Sequence, residues 1–369
     1  MTAFGPLAGF RIVEFAGIGP VPLAGMMLAD LGADVVVIER PVVTGVAAWL
    51  PARFRLTNRG KRLVPADLKI AADRDAVLGL VNRADALIEG FRPGTMERLG
   101  FGPDGLLRSN PRLVFCRVTG WGQTGPRAAT AGHDISYLAV TGALAAIGRR
   151  DGPPVPPVNF LGDYAGGTMF AVTGILAALL HAGRSGCGQV VDAAMIDGVG
   201  ALLAPMQALV AGGKWQLTRA ANLIDGGAPF YDVYQTGDGQ FVAVGAIEDE
   251  FFAALAERLA LDPELVARRW EVAAWPELRT VLAARFRAEP RAHWVALFAG
   301  TDACVAPVLD LSEARLDPHH RARHSFVEVD GMTHPAPAPR FAATPARPPM
   351  APPIAPTTLG QLLGEWGER

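Results

Sequence analysis

At 369 residues, half of them hydrophobic, the chain is long enough for two or more domains and a sizeable buried core. Its 34 Lys and Arg nearly balance 36 Asp and Glu, and the formal net charge of −2 excludes the strongly basic character of a nucleic-acid-binding protein. The three cysteines, Cys116, Cys187 and Cys304, include no C-x-x-C pair. Neither a metal site nor a disulfide framework is expected, and the sparse odd count fits a reducing cytoplasm. The first residues lack the basic region and apolar run of a secretory signal.

Short β-rich runs then alternate with helix-length segments. Phe10–Phe15 reads as a strand and Pro22–Leu31 as the helix after it. Asp34–Glu39 is a second strand, nearly continuously apolar, as suits a parallel sheet buried on both faces. Ala86–Phe91 and Leu113–Val118 repeat the pattern, with helical stretches near Asp75–Arg83 and Thr95–Leu99. The alternation predicts a doubly wound, Rossmann-like α/β domain over residues 1–186. Gly188–Met195 reads as a strand leading into a long helix to about Val210, within a connecting segment over 187–226. Phe230–Gln235 and Gln240–Ala246 form a predicted hairpin turning on Asp238 and Gly239. Amphipathic helices at Phe251–Leu259 and Trp275–Arg287 complete a smaller α+β domain over 227–325. The segment 326–369 is Pro-rich from about His334 and closes with a short helix near Leu359–Trp366.

Tyr164 to Gly183 carries no Asp, Glu, Lys or Arg, and about 20 apolar residues can span a bilayer. Gly166, Gly167 and Gly174, together with His181 near its end and Asp163 at its opening, favour a buried helix instead. No stable membrane insertion is expected.

Several residue sets point to a ligand. Gly17-Ile-Gly19 follows the first strand and Glu39 ends the second, the outline of a dinucleotide site. Pro22 stands at the third glycine position and Pro20 removes a backbone donor, so a tight structural turn is the better reading. Arg40, directly after Glu39, suits a phosphate. Arg59, Lys61, Arg62 and Lys69 around Ala66-Asp67-Leu68, then Arg92 and Arg98, would suit a nucleotide's phosphates, the alternative being a solvated surface. Gly132-His133-Asp134 follows a glycine-punctuated loop, and His133 offers a base near neutral pH, or a merely structural imidazole. Asp163 reads first as a helix N-cap, yet Gly166 and Gly167 weaken that first turn and imply close backbone approach. Glu248 follows the apolar run Phe241–Ile247. Met169, Met195 and Met206 would make either an adaptable apolar surface or ordinary core.

Arg59-Gly-Lys-Arg62, Ala66-Asp-Leu-Lys69, Glu89-Gly-Phe-Arg-Pro-Gly94 and Met96-Glu-Arg-Leu-Gly100 resemble the family III CoA-transferase/racemase superfamily. Gly132–Tyr137, Gly162-Asp163, Gly188–Ala193, Asp225–Pro229, Val244–Glu248 and Thr301–Cys304 resemble its α-methylacyl-CoA racemase family, and the likeness runs over nearly the whole chain. That resemblance implies His133 and Asp163 as catalytic residues flanking the α-carbon of an acyl-CoA, with Glu248 supporting them. It implies CoA binding by Arg40, by Ala66, Asp67, Leu68 and Lys69, by Glu89, Gly90 and Phe91, by Arg98, and by Ala131, Gly132, Asp134, Ile135 and Ser136. Ser136 departs from the Asn expected there, a change that leaves the chemistry intact. The resemblance also implies a large domain completed by the C-terminal segment, a small domain, and an interlocked homodimer.

Inversion at carbon needs a base on one face and an acid on the other, sharing one proton as a coupled pair. No cofactor is required beyond the CoA carried by the substrate. The enolate oxygen needs preorganised N–H donors, expected at the helix N-terminus at Asp163. The main alternative is a CoA transferase in which Asp163 attacks the thioester, a reaction with no need of His133. An acyl-CoA-binding protein without activity would have no reason for the His/Asp/Glu set, and a nicotinamide oxidoreductase would need an intact dinucleotide motif.

Overall fold

The structure, a computed structural model, describes residues 4–42 and 44–367. It divides into two compact units. The first is built from the chain up to Thr141, from Pro157–Leu203 and from Pro318 onward; the second from Gly142–Pro156 and Ala204–Asp317.

The first unit is organised by six strands, β1 (Arg11–Phe15), β2 (Asp34–Glu39), β3 (Lys61–Pro65), β4 (Ala86–Glu89), β5 (Val114–Thr119) and β6 (Val190–Ala194). They form one parallel sheet in the order β3-β2-β1-β4-β5-β6, the doubly wound arrangement expected from sequence. Strand period decides which side chain goes where. Ile12, Val35, Ala86, Ile88, Val114 and Cys116 face one core, packed under the helices Pro20–Asp30 and Met169–Ser185. Their neighbours Val13, Val36, Leu87 and Phe115 face the other, under the helix Ala71–Val81. Each such fully buried aliphatic or phenyl side chain contributes roughly 1.5–3 kcal/mol.

Three boundaries differ from the sequence reading, one being the return to the first unit at Pro318 and not at 326. Val190–Ala194 pairs with β5 from Phe115 to Thr119, so 187–203 belongs to the sheet unit and not to a connector. The stretch Gly142–Pro156, placed by sequence in the large domain, groups with the second unit. The predicted long helix after β6 is two, Met195–Leu202 and Ala204–Ala211, and the unit boundary falls between them.

The C-terminal helix Leu359–Trp366 returns to the first unit. Leu362 and Trp366 enter the second core face, the Trp366 indole N–H donates to Asp34 Oδ2 at 2.7 Å, and Thr358 caps the helix through Gln361 N–H. Arg59, Lys61 and Arg62, which by sequence suited phosphates, are used inside the fold. Arg59 pairs with Asp30 at 2.7 Å and Lys61 with Glu14 at 2.6 Å, both pairs buried, while Arg62 pairs with Asp34 and Glu365. The strand Lys61–Pro65 carries the last two of these cations, which is why its β character is hidden in the sequence.

The second unit holds an antiparallel three-stranded sheet, β7 (Tyr231–Gln235), β8 (Phe241–Gly245) and β9 (Val305–Pro307), in that order. The predicted hairpin is its first pair. Phe252 and Leu255 from the helix Asp249–Arg258 and Leu278, Leu282 and Phe286 from Trp275–Arg287 cover its core.

Candidate active site

In a doubly wound sheet ligands bind outside the carboxyl ends of the strands, at the point where strand order reverses. Here that point lies between β1 and β4. Arg40 follows β2, Ala66–Lys69 follow β3, Gly90 and Phe91 follow β4, and Ala131–Ser136 end the loop after β5. All therefore belong to one edge of the first unit.

Their side chains are not equivalent. Arg40, Lys69 and Arg98 are exposed; Arg98 also donates to Thr95 Oγ1 at 2.9 Å. The Ala66 N–H is spent on Glu39 O at 2.8 Å, and Asp67 Oδ1 accepts the Lys69 N–H at 3.0 Å, a local turn that presents Leu68 and Lys69. Glu89 is fully buried: its carboxylate takes the Phe91 N–H at 2.6 Å and Arg117 Nε at 2.9 Å. Its role is to hold the Gly90–Phe91 turn. Gly90 is needed there because a Cβ would stand 2.8 Å from Val21 Cγ2.

The loop before the helix Asp134–Thr141 is equally determined. A side chain at Gly132 would meet Trp121 and Tyr137, which stack edge-on with centroids 4.8 Å apart. His133 is exposed, its carbonyl accepts the Ser136 N–H at 2.7 Å, and Ser136 Oγ accepts the His133 N–H at 3.4 Å. The serine thus closes a small capping turn on its own. Ala131 and Ile135 are exposed, whereas Asp134 is buried.

Asp163 does not cap a helix. It is the fourth residue of a π-helix, Phe160–Thr168, in which the Tyr164 N–H reaches back five residues to Asn159 O at 3.3 Å. Wide turns of this kind concentrate at functional sites. The glycines in that turn serve helix packing, since a Cβ on Gly166 would stand 2.7 Å from Val199 Cγ2 of the helix Met195–Leu202. The Asp163 N–H donates to Asp134 Oδ1 at 2.7 Å, so it is not a donor for an enolate, contrary to the sequence expectation. Asp163 Oδ2 accepts from Asn159 Nδ2 at 3.2 Å. Gly19, with φ of 67°, presses on the same carboxylate: a Cβ there would lie 2.9 Å from Oδ2. The Gly17–Gly19 turn is structural and is also a wall of this site. Burial raises the proton affinity of Asp163, the Asn159 bond opposes it, the Asp134 charge adds to it, and the His133 charge lowers it. The His133 charge thus bears on the Asp163 carboxyl.

Glu248 lies in the second unit, exposed, directly before the helix Asp249–Arg258. That unit contains a cavity of about 510 Å³ lined by Arg149, Asp225, Tyr231, Asp232 and Cys304 among others. Asp232 joins Arg149 and Arg279 across its wall, and the Glu248 charge reaches the Cys304 thiol. Met195 is buried in the first unit's core, so it forms no exposed methionine surface with Met169 and Met206. Asn159 escaped the sequence reading, although its i, i+4 spacing to Asp163 was an available signal, and Asp134 was read there as a CoA-binding residue.

A doubly wound sheet with a His and an Asp at its carboxyl edge is the frame of an α/β ligand-binding enzyme. The chain belongs to CoA-transferase family III, whose model matches residues 7–361. It is 43% identical over 344 residues to the α-methylacyl-CoA racemase of Mus musculus, spanning 93% of this chain and 88% of that protein. The α-methylacyl-CoA racemase of Homo sapiens is 40% identical over 345 residues, with coverage of 93% and 88%. An acetyl-CoA:oxalate CoA-transferase of Acetobacter aceti is 34% identical over 349 residues, covering 90% of this chain and 88% of that one. Among solved structures, a CaiB/BaiF family protein from Brucella suis superposes with a TM-score of 0.83 at 27% identity, covering 99% and 100% of the two chains.

Proposed function

We propose that this enzyme interconverts (R)- and (S)-2-methylacyl-CoA thioesters by 1,1-proton transfer through an enolate, with His133 and Asp163 as the acid/base pair and no cofactor. The observation that carries the reading is the half-buried Asp163 carboxyl, held by Asn159, walled by Gly19 and anchored through its amide to Asp134, where burial favours its protonated form and the His133 charge opposes it. One group removes the α-proton and leaves the electron pair on the enolate; the other returns a proton to the opposite face, and the roles exchange in reverse. With the Asp163 N–H occupied, the enolate oxygen is assigned to the N-terminus of the helix Asp134–Thr141. By the resemblance Glu248 supports the pair and the enzyme is a homodimer, and the sparse cysteines suit a cytoplasmic location.

In D₂O, without any acceptor acid, a 2-methylacyl-CoA is expected to gain α-deuterium and to yield both epimers. An α-proton that stays in place while CoA moves to an added carboxylate would establish transfer chemistry, with Asp163 as nucleophile. Arg40→Ala and Arg98→Ala should raise KM for the CoA ester by roughly 10- to 100-fold with kcat little changed, because phosphate contacts are made equally in ground and transition states. A fall in kcat at unchanged KM would remove these arginines from phosphate binding.

A further inference from the structure

Asp134 is only 8% exposed, and the hydrogen bonds of its carboxylate are incomplete. Oδ1 accepts the Asp163 N–H at 2.7 Å, while Oδ2 is buried with no hydrogen-bond partner. None of the ion pairs among the described residues involves it. Burying a carboxylate without a paired cation is costly, and the N-terminus of the helix Asp134–Thr141 offsets only part of that cost. The neighbourhood is nevertheless shaped around the group. A Cβ on Gly162 would overlap Oδ1, so glycine at 162 is required for the carboxylate to reach the Asp163 amide.

We propose that Asp134 is the positioning residue of the proton-transfer pair, its carboxylate clamping the Asp163 main chain in the wide helical turn and standing as a second negative charge beside the Asp163 side chain. The inference rests on the acid/base reading of Asp163. The 2.7 Å bond from the Asp163 amide to Asp134 anchors the wide turn from a different element. The titratable groups acting on the Asp163 carboxyl are Asp134, which favours its protonated form, and His133, which opposes it; Tyr137, on the same helix as Asp134, feels both carboxylates and Arg92. A carboxyl that keeps its proton can serve as the acid when His133 is the base. Without the second charge, the Asp163 carboxyl gives up its proton at lower pH, and the direction in which it is the acid is starved. The Asp134 side chain, on this account, acts through Asp163 and does not contact CoA.

Two substitutions separate clamp from charge. Asp134→Asn retains an oxygen for the Asp163 amide and removes the charge; Asp134→Ala removes both. The readouts are the pH profile of α-deuterium exchange and, on ligand-free protein, the ¹³C NMR titration of the Asp163 carboxyl. Asp134→Asn should move the acidic limb and the carboxyl titration to lower pH with KM unchanged. Asp134→Ala should show the same move plus a loss in kcat of up to about 10²-fold, as expected when a reacting group loses its placement. An Asp134→Asn variant that is folded by circular dichroism yet keeps the wild-type titration overturns the inference, as does a rise in KM alone. Failure of the wild-type enzyme to exchange the α-proton would instead sink the acid/base reading, and the NMR titration would still decide the role of Asp134.

Discussion

His133→Ala and Asp163→Ala are each expected to lower racemisation by about 10²–10⁴-fold, the usual contribution of general acid–base catalysis. The two losses should not look alike. If each residue serves one face of the α-carbon, a variant lacking one group can still deprotonate from the other side. It then returns solvent deuterium to that same face, giving exchange without inversion from one epimer only. Opposite epimer preferences in the two variants would assign the faces. Glu248→Gln, at a group proposed only to orient the pair, should slow both directions together. Chiral analysis of the recovered thioester beside mass-spectrometric deuterium counting measures both quantities. Racemisation by His133→Ala at the wild-type rate would sink the two-base mechanism, because Asp163 or another group would then have to serve both faces.

The second large effect is on stability. Lys61 Nζ and Glu14 Oε2 lie 2.6 Å apart and fully buried, and Lys61 also donates to Pro22 O at 2.8 Å in the helix that begins beside Gly19. Burial pushes Glu14 up and Lys61 down, each opposed by attraction to the other. Lys61→Met should cost about 3–5 kcal/mol, because it strands a buried carboxylate. The pH dependence of that loss has a definite sign. A carboxyl whose folded pKa is raised destabilises the fold increasingly as pH rises from its unfolded value through its folded one. The deficit of Lys61→Met should therefore be smallest in acid and grow toward neutrality. Replacing both partners, as Glu14→Leu with Lys61→Met, should recover most of the loss, since a packed apolar pair leaves no unpaired charge. Urea denaturation at two pH values tests all three statements; a Lys61→Met deficit below about 1 kcal/mol at neutral pH would contradict them.

The same pair explains where the sequence was hard to read. Continuous apolar runs such as Val35–Ile38 announced themselves as buried parallel strands, and Trp275–Arg287 and Leu359–Trp366 were legible as helices to the residue. β3 was not, because Lys61 and Arg62 look solvated until their partners Glu14, Asp34 and Glu365 are brought together from 28 to 303 residues away. The three-residue strand Val305–Pro307 is too short to show a period. At the site, His133 and Asp163 stood out by type and setting. The wide turn at Asp163 did not, since a π-helix differs from an α-helix by one residue of hydrogen-bond register that no composition encodes. Asp134 was read as part of a ligand loop; only its burial and its bond to the Asp163 amide reveal the other use.

The helix Leu359–Trp366 covers one face of a sheet whose last strand ends at Ala194. A ribosome adding about 5–20 residues per second needs roughly 10–30 s to travel between those points. For that interval the nascent sheet lacks the cover of Leu362 and Trp366, while every segment of the second unit emerges before Pro318. The unit begun first is thus the last to be sealed. Until then its unfinished face, with Val36, Leu80 and Phe115, stays open to water along one side.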